Sequence, residues 1–132
     1  MRYYGDSMAV ADSSFLVALF LPYDTNHEKA KELFTETDTV IIPYEILIET
    51  LTVLLYKENA EFVRVVYETL ESTETFIIYL SNQKYLEKSL TVFLNQENKL
   101  SYFDYVAISL SKLLRQDLLT FDEKQLKEFL SK

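Results

Sequence analysis

The chain carries one glycine, Gly5, and two prolines, Pro22 and Pro43, in 132 residues. A sheet built from hairpins needs residues that tolerate positive φ or preset a turn every few positions. So few breakers leave little room for an all-β fold and point to a helix-rich or α/β chain. The length suits a single domain, expected over residues 8–132, and would cramp a second independent core. With 48% hydrophobic and 26% charged residues, the composition is that of a packed protein and not of a disordered one.

The hydrophobic period alternates between 2 and 3.6, with no internal repeat, low-complexity tract or linker. Met8 to Ala11 reads as a short buried strand that runs through Asp12 and Ser13 into an apolar helix, Ser14 to Leu21, stopped by Pro22. A second helix is expected from about His27 to Phe34, with Thr25 or Asn26 as N-cap. Thr39 to Ile42 is β-branched and short, and Pro43 opens a buried helix from Tyr44 to Tyr56. Further helices are expected at Ala60 to Leu70, from a cap at Asn82 to about Gln96, from a cap at Ser101 to Leu114, and at Glu123 to Leu130. Thr75 to Tyr79 and Leu118 to Thr120 supply the third and fourth strands. Strands alternating with helices imply parallel pairing, with helices on both faces of the sheet. In such open sheets the functional crevice lies beyond the carboxyl ends of the strands.

The chain has no cysteine, which removes disulfides, cysteine–zinc sites and thiol nucleophiles together. Its longest apolar runs, such as Phe15 to Leu21, fall well short of the roughly 20 residues that cross a bilayer. No stretch has the parts of a signal peptide, so the expected compartment is the cytoplasm, with no membrane partner. Met1 to Ser7 reads as a polar lead-in, and Met8 is an alternative start. The formal charge is −8. A protein that binds nucleic acid by neutralising phosphates alone should be basic. This one has to concentrate its few cations locally, recruit metal ions, or bind no nucleic acid.

Four acids stand in positions that demand an account. Asp12 follows the first strand directly, and Asp122 lies two residues beyond the fourth. Central, parallel strands would open both onto one crevice. Glu49 sits mid-helix among Ile46, Ile48, Leu51 and Val53, and Asp104 sits in a first helical turn between Phe103 and Tyr105. Each has an ordinary alternative. Asp12 and Asp122 suit helix N-caps, Asp104 suits the positive end of a helix dipole, and Glu49 suits a solvated stripe. Acids beside apolar neighbours are nonetheless costly unless paired or coordinated. Two unit charges about 4 Å apart repel by roughly 4 kcal/mol at an effective dielectric near 20. A cluster of four must therefore take up protons or bind cations, and oxygen-only ligation suits Mg²⁺ or Mn²⁺.

The runs A-V-A-D-S-S-F-L-V-A-L-F, I-I-P-Y-E-I-L-I-E-T-L, L-S-Y-F-D-Y-V-A-I-S-L-S and D-L-L-T-F-D together resemble the PIN-domain family. They are most similar to its small single-domain ribonucleases of the VapC toxin type. The resemblance covers nearly all of the chain from Met8 onward, with the motifs in the family's order. It implies a three-layer α/β/α sandwich around a parallel sheet of four strands, with a fifth left open, and Mg²⁺- or Mn²⁺-dependent hydrolysis of RNA. By position it makes Asp12, Glu49, Asp104 and Asp122 the catalytic and metal-binding acids, with Ser14 and Thr120 as auxiliary hydroxyls. It also implies a homodimer and a small antitoxin partner whose basic segment enters the acidic crevice. The chain departs from the family's pattern in two places. Glycines near the final strand are absent, and only Glu123 to Leu130 follows Asp122 where a fifth strand would lie.

Other signals have plainer readings. Glu45 shares a helix face with Glu49 and reads as a solvated acid near a helix start, or as an auxiliary ligand. Asp24 and Asp117 read as caps in turns, and Glu123 as a first-turn acid or as an acid drawn into the site beside Asp122. His27 is the sole histidine and lacks a nucleophile-elbow context, and no glycine-rich phosphate loop is present. Tyr23, Tyr44 and Tyr102 are aromatics next to motifs that could stack on bases. Lys57, Arg64, Lys112 and Arg115 are candidate phosphate contacts, each with a surface-charge alternative. A rival from another class is a PIN-like binding module that keeps its acids and acts through partners. A response-regulator-like phosphoacceptor domain is disfavoured, because no lysine is suitably placed after a strand.

Overall fold

The computed structural model describes residues 7–131. Of the expected lead-in only Ser7 falls among them. Met1 to Asp6, with Gly5 and the first of the two candidate starts, lies outside the described residues. Ser7 is tied down, its amide donating to Asp38 Oδ2 at 2.8 Å and its hydroxyl to the Glu36 carbonyl at 2.9 Å.

Four strands form one parallel sheet: β1 (Met8–Ala11), β2 (Thr39–Pro43), β3 (Phe76–Tyr79) and β4 (Asp117–Leu119), in the order β3-β2-β1-β4. Val10 pairs with Ile41 on one side and Leu118 on the other, and Ile41 pairs onward with Ile77. Val10, Val40 and Ile42 are fully buried, as expected of central strands covered on both faces. From β1 the chain moves to β2 and β3 on one side and returns to β4 on the other. That reversal makes the carboxyl ends of β1 and β4 a topological switch point, where a crevice opens.

Seven helices complete the described chain: α1 (Ser13–Phe20), α2 (His27–Thr35), α3 (Tyr44–Lys57), α4 (Ala60–Ser72), α5 (Gln83–Leu94), α6 (Tyr102–Leu114) and α7 (Glu123–Leu130). This is the α/β sandwich expected of the alternating pattern. Helix α6 packs on β1, β2 and β4, while α3 packs on β2 and β3. Phe15, Leu16, Ile46, Leu54, Tyr105 and Leu110 lie within the core at no more than 1% exposure, each burial worth about 1.5–3 kcal/mol.

The capping residues behave as their chemistry requires. Asn59 Oδ1 accepts from the Phe62 amide at 2.8 Å, Asn82 Oδ1 from Tyr85 at 2.9 Å, and Ser101 from Asp104 at 3.1 Å. The N-cap of α2 is Asn26, but its side chain makes no capping bond. The preceding Asp24 instead accepts from the Asn26 amide at 2.8 Å. Pro43 is the last residue of β2, with ψ at 139°, and helix α3 starts one residue later. Asp117, expected in a turn, opens β4 and pairs with Ala9, so that strand ends at Leu119, one residue early. Asp122 therefore lies three residues beyond its strand, not two. No fifth strand follows Asp122 among the described residues; α7 occupies that stretch. No helix among them is long and apolar enough to cross a membrane.

Candidate active site at the β1–β4 switch point

Asp12 leaves β1 with its amide donating to the Leu119 carbonyl at 2.9 Å, so the carboxyl ends of β1 and β4 are held together at its backbone. Its side chain caps α1, Oδ2 accepting from the Ser14 amide at 3.1 Å. The capping role is therefore real, yet Asp12 is only 2% exposed, which a cap alone does not require. Gln125 Nε2 donates to Oδ1 at 3.3 Å. Burial pushes the Asp12 pKa above the ordinary carboxylate range, and the hydrogen bonds from Ser14, Gln125 and Ser13 only partly counter it. A carboxylate offers about four acceptor positions. Ser14, Ser13 and Gln125 already occupy several of them.

Behind Asp12 lies a closed hydroxyl–amide network. The Ser14 and Thr120 oxygens stand 3.1 Å apart, the Phe121 amide donates to Ser14 Oγ at 2.9 Å, and the Asp122 amide donates to Thr120 Oγ1 at 3.0 Å. Gln125 Oε1 lies 2.8 Å from Thr120 Oγ1, against 3.4 Å for Asp12 Oδ2. Thr120 has one proton, and the amide oxygen has none to give, so the shorter contact takes it. Ser14 then donates to Thr120, and both lone pairs of Thr120 are filled. The Gln125 amide group is oriented by the same logic. Its two N–H groups go to Asp12 Oδ1 and to the Asp104 main-chain carbonyl, the latter at 3.1 Å.

The other three acids surround this core. Asp122 caps α7, Oδ1 accepting from the amides of Lys124 at 3.0 Å and Gln125 at 3.1 Å. Asp104 forms a capping box with Ser101, receiving the Ser101 amide at 2.9 Å. It is half-buried, and burial raises its pKa, aided by the charges of Asp12 and Asp122. Glu49 is half-buried on α3, not on a solvated stripe. Burial raises its pKa, a bond from Ser13 lowers it, and the charges of Asp12 and Asp104 raise it further. Asp104 thus feels the charges of Asp12 and Asp122, and Glu49 those of Asp12 and Asp104.

No three of them are gathered tightly enough to grip a metal ion, nor is any other trio of His, Cys, Asp or Glu among the described residues. The described ion pairs, Lys29–Glu32 and Lys31–Glu28, both lie on α2. Asp12 is buried and the other three are half-buried, and carboxylate oxygens are the donor type that a hard divalent cation takes; in chemistry, though not in spacing, these residues fit one.

Gln125 was not singled out among the candidate residues above. It is fully buried and touches Asp12, Thr120 and the backbone of Asp104. The signal was present: Asp122-x-x-Gln125 has capping-box spacing. Local rules would have sent its side chain back to the Asp122 backbone, whereas the tertiary structure turns it toward Asp12.

The remaining candidates go elsewhere. His27 Nδ1 sits 2.7 Å from the Ala18 carbonyl and ties α2 to α1. Glu45 is half-buried, not solvated, and accepts from the Ser81 hydroxyl at 3.0 Å. Tyr23 donates to Glu58 at 2.6 Å. Tyr102 packs edge-on against Phe93 and Phe103, while Tyr44 remains exposed. Glu123 is exposed beside the site.

Comparison with solved structures finds the same architecture elsewhere. The chain is similar to a Mycobacterium tuberculosis protein, VapC20, described as a sarcin–ricin-loop-cleaving toxin. The TM-score is 0.84 at 18% identity, covering 92% of this chain and 95% of that one. It is also similar to a chain of a toxin–antitoxin complex from Klebsiella pneumoniae, with a TM-score of 0.64 at 24% identity, covering 89% and 88%. At such identities the likeness concerns the fold. Among curated protein sequences none matches. The family model for the PIN domain matches residues 9–129, a span that holds every strand but for Met8 and all four acids of the crevice, and the chain belongs to the PIN-domain family.

Proposed function

We propose that this chain, as one PIN domain over residues 8–132, is a divalent-metal-dependent endoribonuclease, the toxin of a VapBC-type pair. The observation that carries this reading is the anionic cluster at the switch point, in which Asp12, Glu49 and Asp104 all hold protons more tightly than ordinary carboxylates. The family match and the fold shared with VapC20 support it. Asp12 and Asp122 are the residues that would hold Mg²⁺ or Mn²⁺ directly, with Asp104 ligating directly or through water. When bound, the cation neutralises charge on the phosphate and orients a water molecule.

The chain's own groups do the remaining work. Gln125, held by Thr120 and backed by Ser14, fixes the orientation of the Asp12 carboxyl. Asp12 and Asp122 are helix N-caps and Asp104 is the N3 acid of a capping box; Glu49 has no capping role, and we assign it to orient the attacking water or hold a second ion. In-line attack forms a bond from water oxygen to phosphorus and breaks the bond to the 3′ oxygen, leaving a 5′-phosphate and a 3′-hydroxyl. A small antitoxin carrying an arginine would silence the site by seating its guanidinium, which pairs carboxylates bidentately, in the crevice. A homodimer acting in the cytoplasm completes the reading.

The test is cleavage of an end-labelled mixed RNA pool in Mg²⁺, Mn²⁺ and EDTA, with Asp12→Asn in parallel. Cleavage that needs metal and vanishes in the variant is the expected result. Inhibitor-free, folded protein that cuts nothing in either metal would replace the nuclease with the partner-binding module.

A further inference from the structure

The cations of this acidic chain are not evenly spread. Between α5 and α6 lies a cavity of about 450 Å³ lined by Lys88, Lys112 and Arg115, with Tyr105, Ser109 and Glu128 among its other walls. A second cavity of about 360 Å³ adjoins it, shares Lys88, Ser109 and Leu113, and adds Lys84. The two form one trough holding four of the thirteen lysines and arginines in a chain of net charge −8. All four side chains are exposed. Lys112 Nζ donates to the Ser131 carbonyl at 3.3 Å, but among the described residues no carboxylate is in ion-pair range of any of the four. Glu128, the acid in the wall, is engaged by Asn98. The walls are pinned to each other by the Tyr85 hydroxyl on the Val106 carbonyl and by the Tyr102 hydroxyl on the Leu86 carbonyl, so the trough is preformed.

Ordinary helix electrostatics accounts for part of this, since Lys112 and Arg115 lie at the carboxyl end of α6, where the dipole favours cations. It does not account for Lys84, in the first turn of α5, where a cation is disfavoured. Nor does it account for the backbone of Arg115. That residue ends α6 in the left-handed region, at φ 55° and ψ 46°. The Gln116 amide closes the turn on the Ser111 carbonyl at 3.0 Å, in the motif whose left-handed position glycine normally fills. A side chain there is held at a backbone cost, and Arg115 lines the trough.

We propose that this trough carries the phosphate backbone of the RNA substrate away from the acid crevice; the inference rests on the nuclease reading above. Helix α6 links the two regions, with Asp104 in its first turn and Lys112 in its last, about 12 Å apart at 1.5 Å per residue. A strand whose scissile phosphate lies at the acids would thus place phosphates a few nucleotides on along the cations. Grooves of this kind bind single strands without reading sequence, and the affinity falls with salt.

The test uses the full chain with Lys88→Gln, Lys112→Gln, Arg115→Gly and the triple variant, on a trinucleotide that cannot span crevice and trough and on a long single-stranded RNA. Cleavage of the trinucleotide is expected to match wild type. For the long RNA kcat should hold while KM rises about fivefold per cation removed at 0.1 M salt, and the log–log salt slope should shrink by about 0.7 per cation. Arg115→Gly should melt no lower than wild type, since glycine adopts the left-handed region freely. An unchanged KM and salt slope for the long RNA in the triple variant, with the trinucleotide still cut, would overturn the trough. Loss of polyglutamate binding in the triple variant with RNA unaffected would overturn it too, in favour of an acidic protein partner. Should wild type cut neither substrate, the nuclease reading falls by itself. Fluorescence anisotropy of the long RNA on the same variants then decides the trough, weaker binding supporting it and equal binding overturning it.

Discussion

The two ends of helix α6 set opposite electrostatic problems. At its amino end, Asp104 joins Asp12, Glu49 and Asp122 in a crevice where burial raises the pKa of Asp12, Glu49 and Asp104, with neighbouring acid charges adding to it for the last two. At its carboxyl end, Lys112 and Arg115 stand exposed beside Lys84 and Lys88, with no carboxylate in ion-pair range among the described residues. The helix dipole favours each sign where it is found, but it does not favour burial at one end and solvent at the other. Buried like charges are strained until a counter-ion arrives, whereas exposed ones are screened at little cost. On the proposed reading the crevice takes up a cation, and the trough supplies cations to the substrate's phosphates.

The largest effect should come from breaking the crevice at its most buried member. Asp12→Asn should reduce metal-dependent RNA cleavage by more than the roughly 10–100-fold that losing a residue behind a metal ligand costs, as read by initial rates on labelled RNA. The same change should raise the thermal midpoint of the metal-free protein, because a buried charge is removed. A variant that loses both activity and stability would show Asp12 to be a structural cap and little else.

Next in size is the support behind that acid. Gln125→Leu keeps the volume but removes the bond to Asp12, and should weaken divalent-ion affinity or activity by about 10–100-fold. Calorimetric titration with Mn²⁺ beside a thermal melt separates lost positioning from lost folding. Thr120→Val should act in the same direction but less, since Gln125 keeps its bonds to Asp12 and to the Asp104 carbonyl.

The comparison also has a pH signature. The folded-state pKa values of Asp12, Glu49 and Asp104 lie above their unfolded values, so in the window just above the ordinary carboxylate range the folded state binds more protons than the unfolded one. Stability of the metal-free protein should therefore fall as pH rises through that window toward neutrality. Thermal melts should show the fall in EDTA, less of it in Asp12→Asn, and least with saturating Mg²⁺. The trough cations should contribute nothing to it.

The smallest expected effect belongs to Ser101→Ala. It removes one half of the capping box that holds Asp104 and should cost about 1 kcal/mol of stability, measured by urea denaturation.

Much of this molecule was legible before its coordinates, for reasons that differ by region. Asp12 and Asp122 follow short apolar runs, so strand pattern and the crevice rule for open sheets brought them together without further information. Ser101, Asn82 and Asn59 precede periodic helices, and their caps follow from local chemistry. Gln125 was not legible, because its spacing from Asp122 satisfies a local capping rule that the tertiary bond to Asp12 overrides. Asp117 was read as a turn residue because isolated acids favour turns, yet pairing with Ala9 extends β4 to include it. Of the four cations of the proposed trough, the sequence marks two. Lys112 and Arg115 stood out singly, but the convergence of α5 on α6, which adds Lys84 and Lys88, arises only from helix packing. The left-handed backbone of Arg115 was hidden in a chain almost without glycine to mark such positions.

The central claim, that the four acids form a divalent-cation site, is tested most directly by electron paramagnetic resonance titration of Mn²⁺ into the purified protein. Wild type should quench the free-ion signal in a saturable manner reversed by excess Mg²⁺, and Asp12→Asn should bind far less at the same concentrations. Equal uptake by wild type and Asp12→Asn, or none by either folded protein, would contradict the account.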